Sequence, residues 1–170
     1  QHRGQESAGI AASDGKRIRL EKGMGLVNDV FTERRLDSLP GDRAIGHVRY
    51  STSGDTVASN AQPYLIECHR GPIAIGHNGN LVNATILRHE LEAAGSIFQS
   101  TSDTEVILHL YARSHRERLE DAIAASLYKV MGAFSLVFLT PDALVAARDP
   151  WGFRPLVLGR LNGATVVASE

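Results

Sequence analysis

The chain divides into short apolar segments separated by turn-forming residues. Ala8–Ser13 is an apolar run that predicts a buried strand, and Asp14-Gly15 after it signals a hairpin turn. Arg17–Glu21 alternates polar and apolar positions, as a half-buried strand does. Asn28 or Asp29 is placed to cap a short helix running to Leu36, closed off by Pro40-Gly41. Ala44–Tyr50, Tyr64–Glu67 and Ile73–His77 read as further strands, and Ser51–Gln62 reads as a long polar loop. From Asn83 the period changes to that of a helix, with Ile86, Leu87, Leu91 and Ala94 on one face and Gly95 as its stop. A second helix starts at Ser102, where Ser102-x-x-Glu105 predicts a capping box ahead of a Val106, Ile107, Leu110, Tyr111 stripe. A third helix spans about Leu119 to Val130. Only strands follow: Ala133–Leu139 and Leu144–Ala147 about Pro141-Asp142, then Leu156–Leu158 and Val166–Ala168 about Asn162-Gly163.

Hairpin turns dominate this order, so the sheets should be mostly antiparallel. Ala133–Leu139 and Leu144–Ala147 are apolar at successive positions, which predicts a sheet buried on both faces. The expected class is α+β, a layered sandwich. No glycine-rich loop joins a strand to a helix with phosphate-binding spacing, which argues against a nucleotide fold.

With 170 residues the chain suits one compact domain. A formal net charge of -1 excludes the basic footprint of a nucleic-acid binder, and no apolar run is long enough to span a membrane. One cysteine, Cys68, excludes an internal disulfide framework and a multi-cysteine metal centre. The absence of a signal peptide makes a reducing, cytoplasmic setting the default expectation. Gln1 opens directly into a motif-like stretch, so the chain reads as a piece of a longer protein.

Four segments carry candidate chemistry, each with a plainer alternative. In His77-Asn78-Gly79-Asn80, the Asn78 amide and the Gly79 N–H are two donors that can converge on one oxyanion; the alternative is an ordinary strand-to-helix turn. Arg49 stands where a strand runs out into the polar loop and suits two-point recognition of a carboxylate, with Thr52 adding a hydroxyl; the alternative is an arginine extending from a strand end. Asp103 begins a helix, where the dipole alone explains a carboxylate; the functional alternative is a counter-ion for an ammonium group. An Arg for a carboxylate and an Asp for an amine would together describe an amino-acid site. The turn Arg148–Leu156 is either a packed turn with an Arg–Asp pair or a contact surface. Cys68 beside His69 reads as a structural thiol, Ser51, His47 and Asp55 are not a triad on sequence proximity alone, and the seven histidines show no metal-ligand spacing.

Taken together, Gln1-His2-Arg3-Gly4-Gln5-Glu6-Ser7-Ala8-Gly9-Ile10, Arg49-Tyr50-Ser51-Thr52, His77-Asn78-Gly79-Asn80-Leu81, Ser102-Asp103-Thr104-Glu105 and the Arg148–Leu156 turn resemble the amidophosphoribosyltransferase family. The resemblance covers the whole chain. It implies a glutaminase domain of the N-terminal-nucleophile hydrolase superfamily, a four-layer αββα sandwich of mostly antiparallel sheets with its first strand missing here. The implied chemistry is hydrolysis of glutamine to glutamate and ammonia, for use on phosphoribosyl pyrophosphate in the first step of purine synthesis. Residue by residue, the resemblance gives Arg49 the α-carboxylate of glutamine, Asp103 the α-ammonium, Asn78 and Gly79 the oxyanion hole, and Thr52 a pocket hydroxyl. It implies no cofactor in this domain and Mg2+ at a C-terminal phosphoribosyltransferase domain absent from the chain, and it leaves an iron–sulfur cluster in the parent open. The implied partners are glutamine, that second domain and a further copy in a homo-oligomer, with no nucleic acid and no membrane. The family's nucleophile is an N-terminal cysteine, and no residue here matches it, so this chain is expected to be inactive alone. Two other readings stand beside this one: a non-catalytic glutamine-binding or assembly domain, and the glutaminase domain of another class II amidotransferase.

Overall fold

The structure is a computed structural model, and it describes residues 4–39, 41–50 and 57–169. Strands β1 (Ser7–Ser13), β2 (Ile18–Met24) and β3 (Arg43–Arg49) form one antiparallel sheet in the order β2-β1-β3. Strands β4 (Tyr64–Cys68), β5 (Gly71–Leu81), β6 (Gly132–Leu139) and β7 (Leu144–Arg148) form a second in the order β4-β5-β6-β7. Strands β8 (Val157–Leu161) and β9 (Ala164–Ala168) make a separate hairpin. Its turn residues Asn162 and Gly163 both have positive φ, 50° and 86°, as a tight two-residue connection requires.

Strand alternation sorts the side chains into layers. Ile73, Ile75, Phe134, Leu136 and Phe138 leave one face of the second sheet and join the apolar stripes of α3 (Ala84–Ala93), α4 (Thr104–Ala112) and α5 (Leu119–Leu127) in the main core. Ala74 and Leu139 leave the other face and meet Ala11 and Ile45 of the first sheet. Each sheet contributes one alanine and one larger aliphatic residue to this second, smaller core. On the outer face of the first sheet lie α1 (Val27–Val30) and α2 (Glu33–Asp37), with Val30 packed over Gly23 and Arg35 paired to Glu21. The layer order is therefore helix, sheet, sheet, helix, as expected.

Five local expectations need correction. The helix expected to run to Leu36 is two short helices, because Phe31 and Thr32 are extended and the second begins after Thr32. Ile86 is solvent-exposed; Leu87 and Leu91 alone of the predicted face are buried in α3. Ser102-x-x-Glu105 is not a capping box: Glu105 reaches back past it to Gln99 and Ser100. Strand β7 lies at a sheet edge, with Leu144 and Ala146 exposed, so one of its faces is not buried. Strand β5 runs through to Leu81, so His77–Asn80 lies within a strand rather than in a turn.

Candidate functional site

A cavity of about 600 Å3 opens between the two sheets, and Arg49, Gln62, Asn78, Gly79, Asp103 and Ser169 are among the residues on its wall. Strand β3 delivers Arg49. Its register pairs Arg49 with Ser7, His47 with Gly9 and Ile45 with Ala11, so all three β3 side chains face the second sheet. Arg49 is 5% exposed, and its guanidinium is paired to the Glu6 carboxylate at 3.1 Å. A buried cation held this way is fixed in position before any ligand arrives.

Strand β5 delivers Asn78 and Gly79. Strand β4 starts at Tyr64, opposite Ile75, so the last residues of β5 extend beyond their neighbour on that edge. Side chains take up the backbone donors there. His77 N–H donates to Gln62 Oε1 at 2.8 Å, and Leu81 N–H donates to Asp103 Oδ2 at 2.8 Å. Backbone groups of a strand alternate in direction, so the Gly79 N–H leaves from this same edge, between those two. A side chain at Gly79 is sterically excluded: a Cβ there would lie 2.1 Å from the Ala133 carbonyl oxygen and 2.7 Å from His77 Nε2. Asn78, on the opposite face of the strand, is half-buried and donates from Nδ2 to Ser169 Oγ at 3.0 Å.

Asp103 stands at the N-cap position of α4, makes no capping bond to the helix backbone and is almost fully buried. Its Oδ1 lies 3.7 Å from His77 Nδ1 and accepts a long bond, 3.4 Å, from the Thr104 hydroxyl. Thr104 Oγ1 lies 2.9 Å from His77 Nδ1. With the one hydroxyl proton turned toward Asp103, Thr104 accepts from His77 Nδ1–H, and Nε2 is left as a bare, buried nitrogen. Burial holds the His77 pKa below its usual value against the pull of Asp103, so the ring is neutral. His77 therefore offers Asp103 no cationic partner. Glu105, two residues on, holds the preceding loop through Gln99 N–H, Ser100 N–H and the Ser100 hydroxyl. Burial alone would raise the Glu105 pKa, but bonds from His109, Ser100 and the two N–H groups bring it down to about 2.

Four of the five site residues read from the sequence, Arg49, Asn78, Gly79 and Asp103, therefore share one cavity. Thr52 lies outside the described residues. Cys68 is remote from the cavity; it packs at the edge of the main core, with its thiol toward Gly71 O. Among the described residues no cluster of three His, Cys, Asp or Glu side chains is placed to hold a metal ion. In the Arg148–Leu156 turn, Arg148 and Asp149 serve the turn itself. Asp149 accepts backbone N–H bonds from Phe134, Trp151, Phe153 and Arg154, while Arg148 donates to the carbonyls of Gly152 and Arg154. Trp151 and Phe153 stand 80% and 75% exposed above it, and Arg154 reaches the cavity. Sequence reasoning missed Glu6, Gln62, His77, Thr104 and Ser169, whose roles depend on contacts between distant segments.

The family model for the glutamine amidotransferase domain matches residues 47–170. The chain belongs to this family. Within it, the chain is 53% identical over 171 residues to amidophosphoribosyltransferase 3, chloroplastic, of Arabidopsis thaliana, covering all of this chain and 32% of that protein. It is 48% identical to the amidophosphoribosyltransferase of Bacillus subtilis, again over all of this chain and 36% of the relative. Among solved structures, the glutamine phosphoribosylpyrophosphate amidotransferase of B. subtilis in complex with ADP and GMP superposes with a TM-score of 0.93 at 48% identity, covering 99% of this chain and 36% of that one. The fold is accordingly the N-terminal-nucleophile hydrolase sandwich expected of the family. The chain spans about a third of the length of the curated relatives it matches.

Proposed function

We propose that this chain is the glutamine-binding part of an amidophosphoribosyltransferase, which releases ammonia from glutamine and delivers it to phosphoribosyl pyrophosphate. The observation that carries the reading is the convergence of Arg49, Asn78, Gly79 and Asp103 on one cavity. Glutamine is an amino acid with a side-chain amide, and this set offers one group for each part of it. Arg49 takes the α-carboxylate and Asp103 the α-ammonium, with Thr52 as a further pocket hydroxyl. Two fixed charges of opposite sign orient the molecule and leave its amide to point along β5. There the Asn78 amide and the Gly79 N–H receive the carbonyl oxygen as it becomes an oxyanion.

The nucleophile is a cysteine thiolate supplied from outside these 170 residues, because Cys68, the one cysteine of the chain, does not line the cavity. Its attack forms the tetrahedral adduct, the amide nitrogen takes up the proton that the thiol gave up and leaves as ammonia, and water then hydrolyses the thioester to glutamate and the free thiol. A phosphoribosyltransferase domain uses the ammonia, with Mg2+ at that domain alone, and the whole protein works as a homo-oligomer in a reducing, cytoplasmic setting. Among the described residues no helix is long and apolar enough to cross a membrane.

The test is a comparison of two nitrogen donors in the whole protein. Arg49→Lys keeps the charge but loses the planar two-point grip on a carboxylate, so glutamine-dependent activity should fall far more than activity with added ammonia. Equal loss of both would make Arg49 a structural ion pair with Glu6 and remove the carboxylate site.

A further inference from the structure

Asn78 and Ser135 are register partners on β5 and β6, with side chains on the same face of the sheet. Both reach to the segment that carries the β8–β9 hairpin. Ser135 Oγ donates to the Pro155 carbonyl at 2.6 Å, just before β8, and Asn78 Nδ2 donates to Ser169 Oγ at 3.0 Å, just after β9. Apart from these ties the hairpin is largely solvent-exposed along both strands. Asn78 and Ser169 are half-buried on the cavity wall, 91 residues apart in sequence.

An asparagine amide has one nitrogen with two N–H donors and one oxygen, on a broad, roughly two-fold torsion. An oxyanion hole needs the nitrogen end already aimed when charge develops, because reorienting a dipole during the reaction removes the advantage. We infer that Ser169 is a positioning residue: its hydroxyl holds one N–H of the Asn78 amide, so that the second N–H is presented to the substrate carbonyl. This rests on the proposed role of Asn78 as an oxyanion donor. Ser169 touches neither substrate nor nucleophile in this arrangement and acts wholly through Asn78.

Four forms of the whole protein test it: Ser169→Ala, Ser169→Thr, Asn78→Ala and the Ser169→Ala/Asn78→Ala double variant. Asn78→Ala should lower kcat with glutamine about a hundredfold, the usual effect of deleting one such donor. Ser169→Ala should lower kcat about tenfold or more while KM and the ammonia-dependent rate stay within about twofold, because only the transition state uses the aimed donor. Ser169→Thr, which keeps the hydroxyl, should restore most of the rate. In the Asn78→Ala background, Ser169→Ala should have no further effect. The inference is overturned if Asn78→Ala lowers kcat but Ser169→Ala leaves it unchanged, if Ser169→Ala raises only KM, or if the two losses multiply in the double variant. If Asn78→Ala itself leaves kcat intact, the oxyanion reading fails first and the role of Ser169 falls with it. A Ser169→Ala protein that loses ammonia-dependent activity as well marks a structural role and also overturns the inference.

Discussion

His47 Nε2 donates to the carbonyl oxygen of His77 at 2.9 Å, tying the strand that carries Arg49 to the strand that carries Asn78. The bond sets the tautomer: Nε2 carries the proton, and Nδ1 is left bare and buried without a partner. Burial pushes the His47 pKa down to about 4, against the favourable pull of the His77 carbonyl, and Arg49 nearby adds to the lowering. Between this value and the ordinary 6.5 the unfolded chain holds more protons than the folded one. Stability should therefore fall as pH drops from 6.5 toward 4 and lose nothing further from His47 below that. The buried His77 contributes in the same direction. Melting temperatures of wild type and His47→Gln across pH 4–7 check this; a wild-type slope identical to that of His47→Gln would show that His47 does not cause the effect.

Gly79→Ala should destabilise the fold whatever the domain does. The new Cβ meets the Ala133 carbonyl and the Phe134 backbone, which move only if β5 and β6 separate. Overpacking of this kind costs roughly 1–3 kcal/mol. The melting temperature should then drop by roughly 3–10 °C for a domain of this size. Unchanged melting would mean that the two strands part easily at this point.

Glu105→Gln should loosen the loop before α4. A neutral amide cannot replace a carboxylate that accepts from Gln99 N–H, Ser100 N–H and the Ser100 hydroxyl at once. The expected loss is about 1–3 kcal/mol, read by denaturant unfolding. The wild-type contribution is fully present above pH 4.5 and fades as pH falls toward 2, because the folded carboxyl titrates at about 2. Glu105→Gln should lack that acid-side decline.

Asp103→Asn should act on glutamine binding rather than on turnover. The α-ammonium carries the same charge in the ground and transition states, so losing its counter-ion raises KM and leaves kcat largely intact. The amide can still accept from Leu81 N–H, which preserves the link between α4 and β5. Steady-state kinetics of the whole protein decide; a fall in kcat at unchanged KM would place Asp103 at the reacting atoms instead.

Cys68→Ser should change glutamine use little. The thiol sits at the end of β4 beside Gly71 O, away from the cavity wall. Glutamine hydrolysis by the 170-residue chain, abolished by Cys68→Ser, would make Cys68 a nucleophile and overturn the requirement for an outside cysteine.

The sequence by itself determined the elements and their class. Continuous apolar runs such as Ala8–Ser13 and Ala133–Leu139 and the helical stripe Val106–Tyr111 depend on neighbours in the chain, and so do turn signals such as Asn162-Gly163. Local periodicity and turn chemistry act over a few residues and survive in any context. The same holds for Arg49, Asn78, Gly79 and Asp103, which stood out because each lies at a recognisable polar break and together in a known order. Tertiary structure alone decided what these residues touch. Strand β5 outruns β4 because Tyr64 begins opposite Ile75, and only that mismatch leaves an edge for Gln62 and Asp103 to complete. Glu105 looked like a capping residue by spacing, yet the loop at Gln99–Ser100 offered its carboxylate two N–H donors and a hydroxyl. Ile86 looked like a core residue by helical periodicity, but the direction of α3 against its neighbours left it in solvent. Pairings such as Arg49 with Glu6, His47 with His77 and Asn78 with Ser169 join residues 43, 30 and 91 positions apart, and no local rule reaches that far.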